Sequence, residues 1–318
     1  MRLGLNLRGR YDILESLKLV SIAEERGFEY LLAPEYYFFR DTVSQTAAYA
    51  LTTKKIRIIC VFNPYTRNPA LTAMSIASLN EIAEGRVIPC LGATPASWLS
   101  KMGIEQRAPL AAMRESCFLI RKLLDGETIS CRGKIFKMSD VALGFQVKPV
   151  EKILFSVIGP RMLELAGEIG DGVVLTAFTP VTYIQEAIGY VRKGASKAGR
   201  SIDNLEFAAA IAYLHDKRHL NVLKSYAAYV MSASNIILNY LNLDYEKKKR
   251  LQECFARGRL DEAATLISDD DLGRIALFGN MTECRRRLEE YFRIGVTLPI
   301  IVPVAEPKEA IYEASRLI

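Results

Sequence analysis

The sequence predicts an α/β protein built as a single (β/α)8 TIM barrel over residues 1–318, and three observations predict it. Short β-branched or apolar runs alternate with amphipathic stretches of helical period, the alternation recurs eight times, and no shift in composition divides the chain. A length of 318 residues allows two modest domains or one large barrel. Eight uninterrupted strand-helix units select the barrel.

In order, strands are expected at 3–7, 30–33, 56–61, 87–91, 153–157, 173–176, 205–212 and 298–304. Helices at 13–26, 43–53, 70–83, 109–124, 161–169 and 181–198 follow the first six, a long helical region follows the seventh, and 308–317 closes the last unit. Gly27, Gly85 and Gly170 each fall just past a periodic helix, where a left-handed C-cap is wanted. Asp12 and Thr282, the latter followed by Glu283, stand where N-caps are wanted. Three stretches exceed a minimal barrel: 93–108, a hairpin-like 126–150 with Gly126, Gly133 and Gly144, and a mostly helical 213–278. Insertions after strands four and seven lie on the C-terminal side, where substrate cavities are built.

Composition narrows the chemistry. With 50% apolar and 25% charged residues, disorder, collagen and coiled coil are excluded. The 42 Lys and Arg against 36 Asp and Glu give +6, spread along the chain, which fits an anionic small molecule better than nucleic acid. The densest run, Lys247 to Arg250, reads as a solvated helix face. Six scattered cysteines without a C-x-x-C pair, and only His215 and His219, make a metal site unexpected and point to a reducing cytoplasmic compartment. No apolar run approaches the roughly 18 residues of a membrane span.

In a barrel the working residues lie at strand C-termini, here 6–10, 34–40, 62–67, 92–98, 158–161, 176–179 and 212–215. Arg8, Arg10, Arg40, Arg67 and Arg161 outnumber Glu35 there, and arginine forks match phosphate and carboxylate. The run Ser156-Val157-Ile158-Gly159-Pro160-Arg161 reads as strand, glycine turn and proline-led helix start, a frame that presents free N–H groups to a phosphate. Cys60 to Pro69 ends strand three with Tyr65 and Arg67 between two prolines, a rigid loop or a ligand contact. No dinucleotide-type G-x-G-x-x-G follows a strand, no P-loop occurs, and no Ser/His/Asp set is recognisable.

The runs Ala23-Glu24-Glu25-Arg26-Gly27-Phe28-Glu29-Tyr30, Asn63-Pro64-Tyr65-Thr66-Arg67-Asn68-Pro69, Gly85-Arg86-Val87, Gly159 to Gly167 and Asp171-Gly172-Val173 carry a resemblance. In them the sequence resembles the bacterial-luciferase-like superfamily and, within it, the coenzyme F420-dependent methylenetetrahydromethanopterin reductases. The resemblance implies a deazaflavin in the barrel mouth, a non-prolyl cis peptide at Cys60-Val61 behind its ring, and its phosphate at Gly159, Pro160 and Arg161. Cys60, Val61, Phe62, Asn63, Gly92, Ala93 and Thr176 become the expected coenzyme contacts, with Asn6, Arg8, Arg40 and Arg67 toward substrate or anionic groups. Where the reductases carry Asp-His after strand two this chain has Glu35-Tyr36, the expected acid and hydroxyl donors. Asn6 and Pro95 stand where the reductases carry acids.

The resemblance thus implies an F420-dependent oxidoreductase that moves a hydride to or from a small or pterin-like substrate, as a homodimer. Two other readings stay open: an FMN-dependent monooxygenase of the same superfamily, and a diverged barrel with a binding or assembly role. Phe38, Phe39 and Phe62 favour the last if their rings fill the mouth.

Overall fold

The computed structural model describes residues 2–232 and 234–317. Along the chain run β1 (Gly4–Leu5), α1 (Ile13–Glu25), β2 (Tyr30–Ala33), α2 (Thr42–Thr52), β3 (Arg57–Phe62), α3 (Pro69–Ile82), β4 (Val87–Gly92), α4 (Ala96–Ser100) and α5 (Pro109–Leu124). Then come β5 (Ile129–Arg132), β6 (Lys137–Val141), β7 (Leu154–Ser156), α6 (Pro160–Ile169), β8 (Gly172–Leu175), α7 (Val181–Lys197) and β9 (Glu206–Leu214). The helices α8 (Leu220–Ser232), α9 (Asn235–Tyr240), α10 (Tyr245–Ala256), α11 (Leu260–Thr265) and α12 (Asp269–Gly273) precede β10 (Ala276–Phe278), α13 (Met281–Arg293), β11 (Leu298–Pro303) and α14 (Pro307–Ala314).

Eight parallel strands close the ring in the order β1-β2-β3-β4-β7-β8-β9-β11, with β11 returning to β1. Alternation decides which residues fill it. Tyr30, Leu32, Ile59, Val61, Ile88, Cys90, Leu154, Val174, Ala208, Leu298 and Ile300 pack inside, while Leu31, Ile58, Cys60 and Phe62 face the helices. The expected hairpin forms as the antiparallel pair β5-β6.

The seventh unit departs most from its expected bounds. β9 runs on to Leu214, and β10 pairs with it from Ala212 to Leu214, a short strand inside what reads as a helical region. Above Ala208 the β9 residues Ala210, Ala212 and Leu214 pack with Val302 and Val304 under Tyr226, Ala227 and Met231 of α8. The insertion therefore roofs the β9-β11 side of the barrel mouth.

Asp12 caps α1 as expected, accepting from the Glu15 N–H at 2.9 Å. At α13 the cap is Asn280 rather than Thr282, in a reciprocal box with Glu283 three residues on. Gly27 and Gly85 have positive φ, but Gly170 is extended at φ −92°. A side chain there would press on the Phe155 ring and the Ala166 carbonyl, so close packing and not handedness calls for glycine.

Candidate active site

Several of the motifs shared with other barrels prove to be joints. The Glu24 carboxylate accepts N–H bonds from Lys54, Lys55 and Ile56 at 2.7–3.1 Å, tying α1 to the start of β3. Asp171 accepts from the Ile153 N–H at 2.8 Å and pairs with Arg121 and Arg200 below the sheet. In the Asn63 to Pro69 run, Asn63 Oδ1 accepts from Tyr65 N at 2.8 Å, Asn68 caps α3, and Tyr65 Oη donates to the Arg107 carbonyl at 2.7 Å. Two local side-chain bonds shape that loop, and the third ties it to the loop after β4.

Glu35 follows β2 at the C-terminal rim. Burial, with Asp41 adding to it and Arg67 opposing, pushes its carboxyl up to about 7. Near neutral pH it is part protonated, the state of a general acid. The next residue, Tyr36, has its phenol held well above the usual range by the neighbouring Tyr226 phenol and by burial, so it stays a donor. Its ring lies 6.0 Å from Trp98 of α4 and 6.4 Å from Phe39.

Tyr37, not singled out by the sequence, also belongs to this rim. Its hydroxyl is 3.0 Å from Thr66 Oγ1, its ring lies 6.3 Å from that of Trp98, and burial raises its pKa, with Glu35 adding to the effect. Loops after β2, β3 and β4 thus meet around one phenol. Trp98 lies within the expected 92–98 rim without having been singled out, and Tyr226 was missed, because nothing in its local sequence says that α8 folds inward.

The floor is built by β3, β4 and β7. Val61 points inward, and Gly92 leaves a gap whose missing Cβ would lie 3.4 Å from both Val61 Cγ1 and the Ser156 carbonyl. Asn63 Nδ2 is buried beside it without a hydrogen-bond partner. The expected cis peptide at Cys60-Val61 is absent: β3 keeps regular parallel register through Val61↔Cys90 and Phe62↔Leu91. Cys60 points away from the mouth, its Sγ 3.5 Å from Thr42 Oγ1. Phe62 is fully buried in the helix layer, and Phe38 and Phe39 are 67% and 48% exposed, so none of these three rings is packed inside the barrel.

The arginines are less alike than their positions suggest. Arg8 is buried, donating from Nη2 to the Pro303 and Val304 carbonyls at 3.1 and 3.4 Å, with Nε left unpaired. Asn6 Oδ1 accepts the Arg8 N–H at 2.7 Å. Arg40 donates to the Arg10 carbonyl at 2.8 Å, and Arg67 to Ser75 Oγ at 3.2 Å. Arg161 is exposed at the start of α6, in an outer groove with Arg114, Glu164 and Glu168. Gly159 caps α6 through its backbone with open space where a Cβ would be, and Ala93 and the exposed Thr176 sit on the same rim. The larger cavity, about 310 Å³, lies at the opposite end of the ring between Arg57, Glu84, Lys148 and Lys152.

A closed barrel with its acid, phenols and unpaired polar atoms gathered at the C-terminal rim is a ligand-binding barrel of catalytic type. The chain belongs to the luciferase-like monooxygenase family, whose model matches residues 4–298. A 5,10-methylenetetrahydromethanopterin reductase of Methanolobus tindarius is 31% identical over 303 residues, 93% of this chain and 92% of that protein. Its counterpart in Archaeoglobus fulgidus is 30% identical over 306 residues, 93% and 92% of the two chains. The solved coenzyme F420-dependent tetrahydromethanopterin reductase from Methanopyrus kandleri superposes with a TM-score of 0.89 at 26% identity, over 100% of this chain and 98% of that one. No helix among the described residues is long and apolar enough to cross a membrane.

Proposed function

We propose that this chain is an F420-dependent oxidoreductase that transfers a hydride between the deazaflavin and a small or pterin-like substrate. The observation that carries the reading is Glu35, a carboxyl just past the C-terminal end of β2, among the rim loops, that burial raises to about 7. The full-length likeness to the two methylenetetrahydromethanopterin reductases supports it.

The residues present fit such a coenzyme. The side-chain-free backbone at Gly92 next to Val61 suits a flat ring stacked on it, the unpaired Asn63 Nδ2 and Arg8 Nε await acceptors, and the side-chain-free N-terminus of α6 at Gly159 and Pro160 suits a phosphate. When bound, the deazaflavin supplies the hydride-carrying carbon. The protein's task is then to orient substrate over the floor and to handle the proton. Glu35 gives a proton to the substrate atom that becomes basic as the hydride arrives, and Arg67 steadies the carboxylate that remains. Tyr36, locked as a donor, orients a substrate oxygen or nitrogen, and Trp98 and Tyr226 keep water from the site.

Dimerisation belongs to the same proposal: Leu51 on α2 and Leu71, Met74 and Ile82 on α3 are 40–77% exposed, an apolar face suited to a second copy. The test is titration of the purified chain with F420 and with FMN, followed by fluorescence, then assay with methylenetetrahydromethanopterin. F420 binding with hydride transfer is expected. FMN binding alone would move the protein to the monooxygenase reading, and binding of neither would make it a diverged barrel.

A further inference from the structure

Arg8 is 6% exposed, yet the groups its guanidinium meets are neutral. Nη2 donates to the Pro303 and Val304 carbonyls, the Tyr226 ring centroid lies 4.5 Å away, and Nε is buried without a partner. A buried guanidinium is ordinarily paired with a carboxylate, because neutral hydrogen bonds do not return the full cost of stripping its water. Among the described residues, no carboxylate lies within 4.0 Å of Arg8.

Arg10 shares the same ring. Its guanidinium lies 5.7 Å from the Tyr226 centroid and 5.8 Å from that of Phe39, so it spans the seam between the loop after β2 and the roof. It too has no carboxylate within 4.0 Å among the described residues, and it is exposed to an arriving ligand. Its backbone is held from behind, where Arg40 Nη1 donates to the Arg10 carbonyl at 2.8 Å. The acids of these loops are spent elsewhere: Asp12 caps α1, and Asp41 caps α2, accepting from Ser44 N and Oγ at 2.8 Å.

Two like charges on one ring repel each other, and the chain itself offers them no counter-charge. Arginine forks match carboxylate and phosphate. Topology sets this pair apart from the frame at Gly159. Around the ring β1 is first and β7 fifth of eight, so the N-terminus of α6 lies across the mouth from the Arg8-Arg10 side.

We propose that Arg10, with Arg8 on the same ring, is a specificity-determining residue that takes a carboxylate or phosphate group of the substrate. Tyr226 is the platform that holds both guanidiniums in place before the substrate arrives. The identity of the reaction rests on the F420-dependent reading above, whereas the anion site stands on these contacts alone.

The full-length chain is titrated at constant ionic strength with inorganic phosphate and separately with glutarate. Binding is followed by melting temperature and by the fluorescence of Trp98, the one tryptophan of the chain, whose ring reaches Phe39 through Tyr36. Saturable binding of at least one anion is expected, weakened about tenfold or more by Arg10→Gln and less by Arg10→Lys, which keeps the charge and loses the fork. No response to either anion in either readout, or binding unchanged in Arg10→Gln, overturns the site. F420 should bind wild type and Arg10→Gln equally well. A loss of about tenfold there would put the coenzyme's own anionic groups on Arg10 and overturn the assignment to substrate. If neither protein binds F420, the reaction assigned above fails, and the phosphate and glutarate titrations still decide whether Arg10 holds an anion.

Discussion

The guanidinium of Arg8 lies 4.5 Å from the ring centroid of Tyr226, stacking the end of β1 against the first long helix of the insertion. The same guanidinium holds the Pro303 and Val304 carbonyls of the neighbouring strand end. One buried side chain thus joins barrel and roof, and Tyr226 carries that contact on toward Tyr36.

A double-mutant cycle measures this joint. Tyr226→Ala should cost about 3 kcal/mol through the lost ring, whereas Tyr226→Phe should cost no more than about 1 kcal/mol. Combining Tyr226→Ala with Arg8→Ala should reveal a coupling of about 1 kcal/mol in urea unfolding. Strict additivity would show that the stacking is incidental.

Glu35 makes stability depend on pH. Its folded carboxyl titrates at about 7, above the roughly 4.3 of an unfolded glutamate, so between those values the folded state binds more protons than the unfolded one. Stability should therefore fall as pH rises through that window and level off above it. Glu35→Gln should flatten this part of the curve and be relatively more stable at pH 8 than at pH 5. Identical urea midpoints for the two proteins across the window would place the Glu35 carboxyl in water.

The same substitution should remove a limb near pH 7 from the pH-rate profile and lower turnover by about 100-fold or more, the usual worth of a general acid. Retention of full turnover at pH 7 would relieve Glu35 of its role in the proton step.

Filling the floor should separate binding from folding. The methyl group of Gly92→Ala would meet Val61 Cγ1 and the Ser156 carbonyl at 3.4 Å, a tight fit that the rim can accommodate. A melting temperature within a few degrees of wild type is expected, with F420 affinity reduced about tenfold. Unchanged affinity would move the ring away from this floor.

Two glycines of α7 should respond in opposite directions. A Cβ at Gly194 would overlap the Glu164 carbonyl of α6, so Gly194→Ala should cost about 3 kcal/mol or more. Gly189 has open space around it, and Gly189→Ala should add about 0.5–1 kcal/mol through helix propensity. Equal effects in thermal unfolding would contradict the close packing of α6 on α7.

Much of the fold was legible because its signals are local. Period-two and period-3.6 patterns locate α5 without error and most other elements to within a residue or two, as at β3 and α7. The 213–278 stretch was less clear, because the three residues of β10 are strand only by virtue of pairing with β9.

The site divides along the same line. By itself the amino-acid sequence determined an eight-unit barrel, a rim carrying Glu35, Tyr36 and Asn63, and a glycine-led helix start at Gly159. Ring closure decided what each of these faces: it turned Cys60 and Phe62 outward and Val61 inward, and it kept the Cys60-Val61 bond trans in regular register. It also brought Tyr226 onto Arg8 across 218 positions of sequence and set His215 and His219 against Glu306. Such meetings are fixed by strand register and by the docking of the insertion, and neither leaves a periodic mark on the chain.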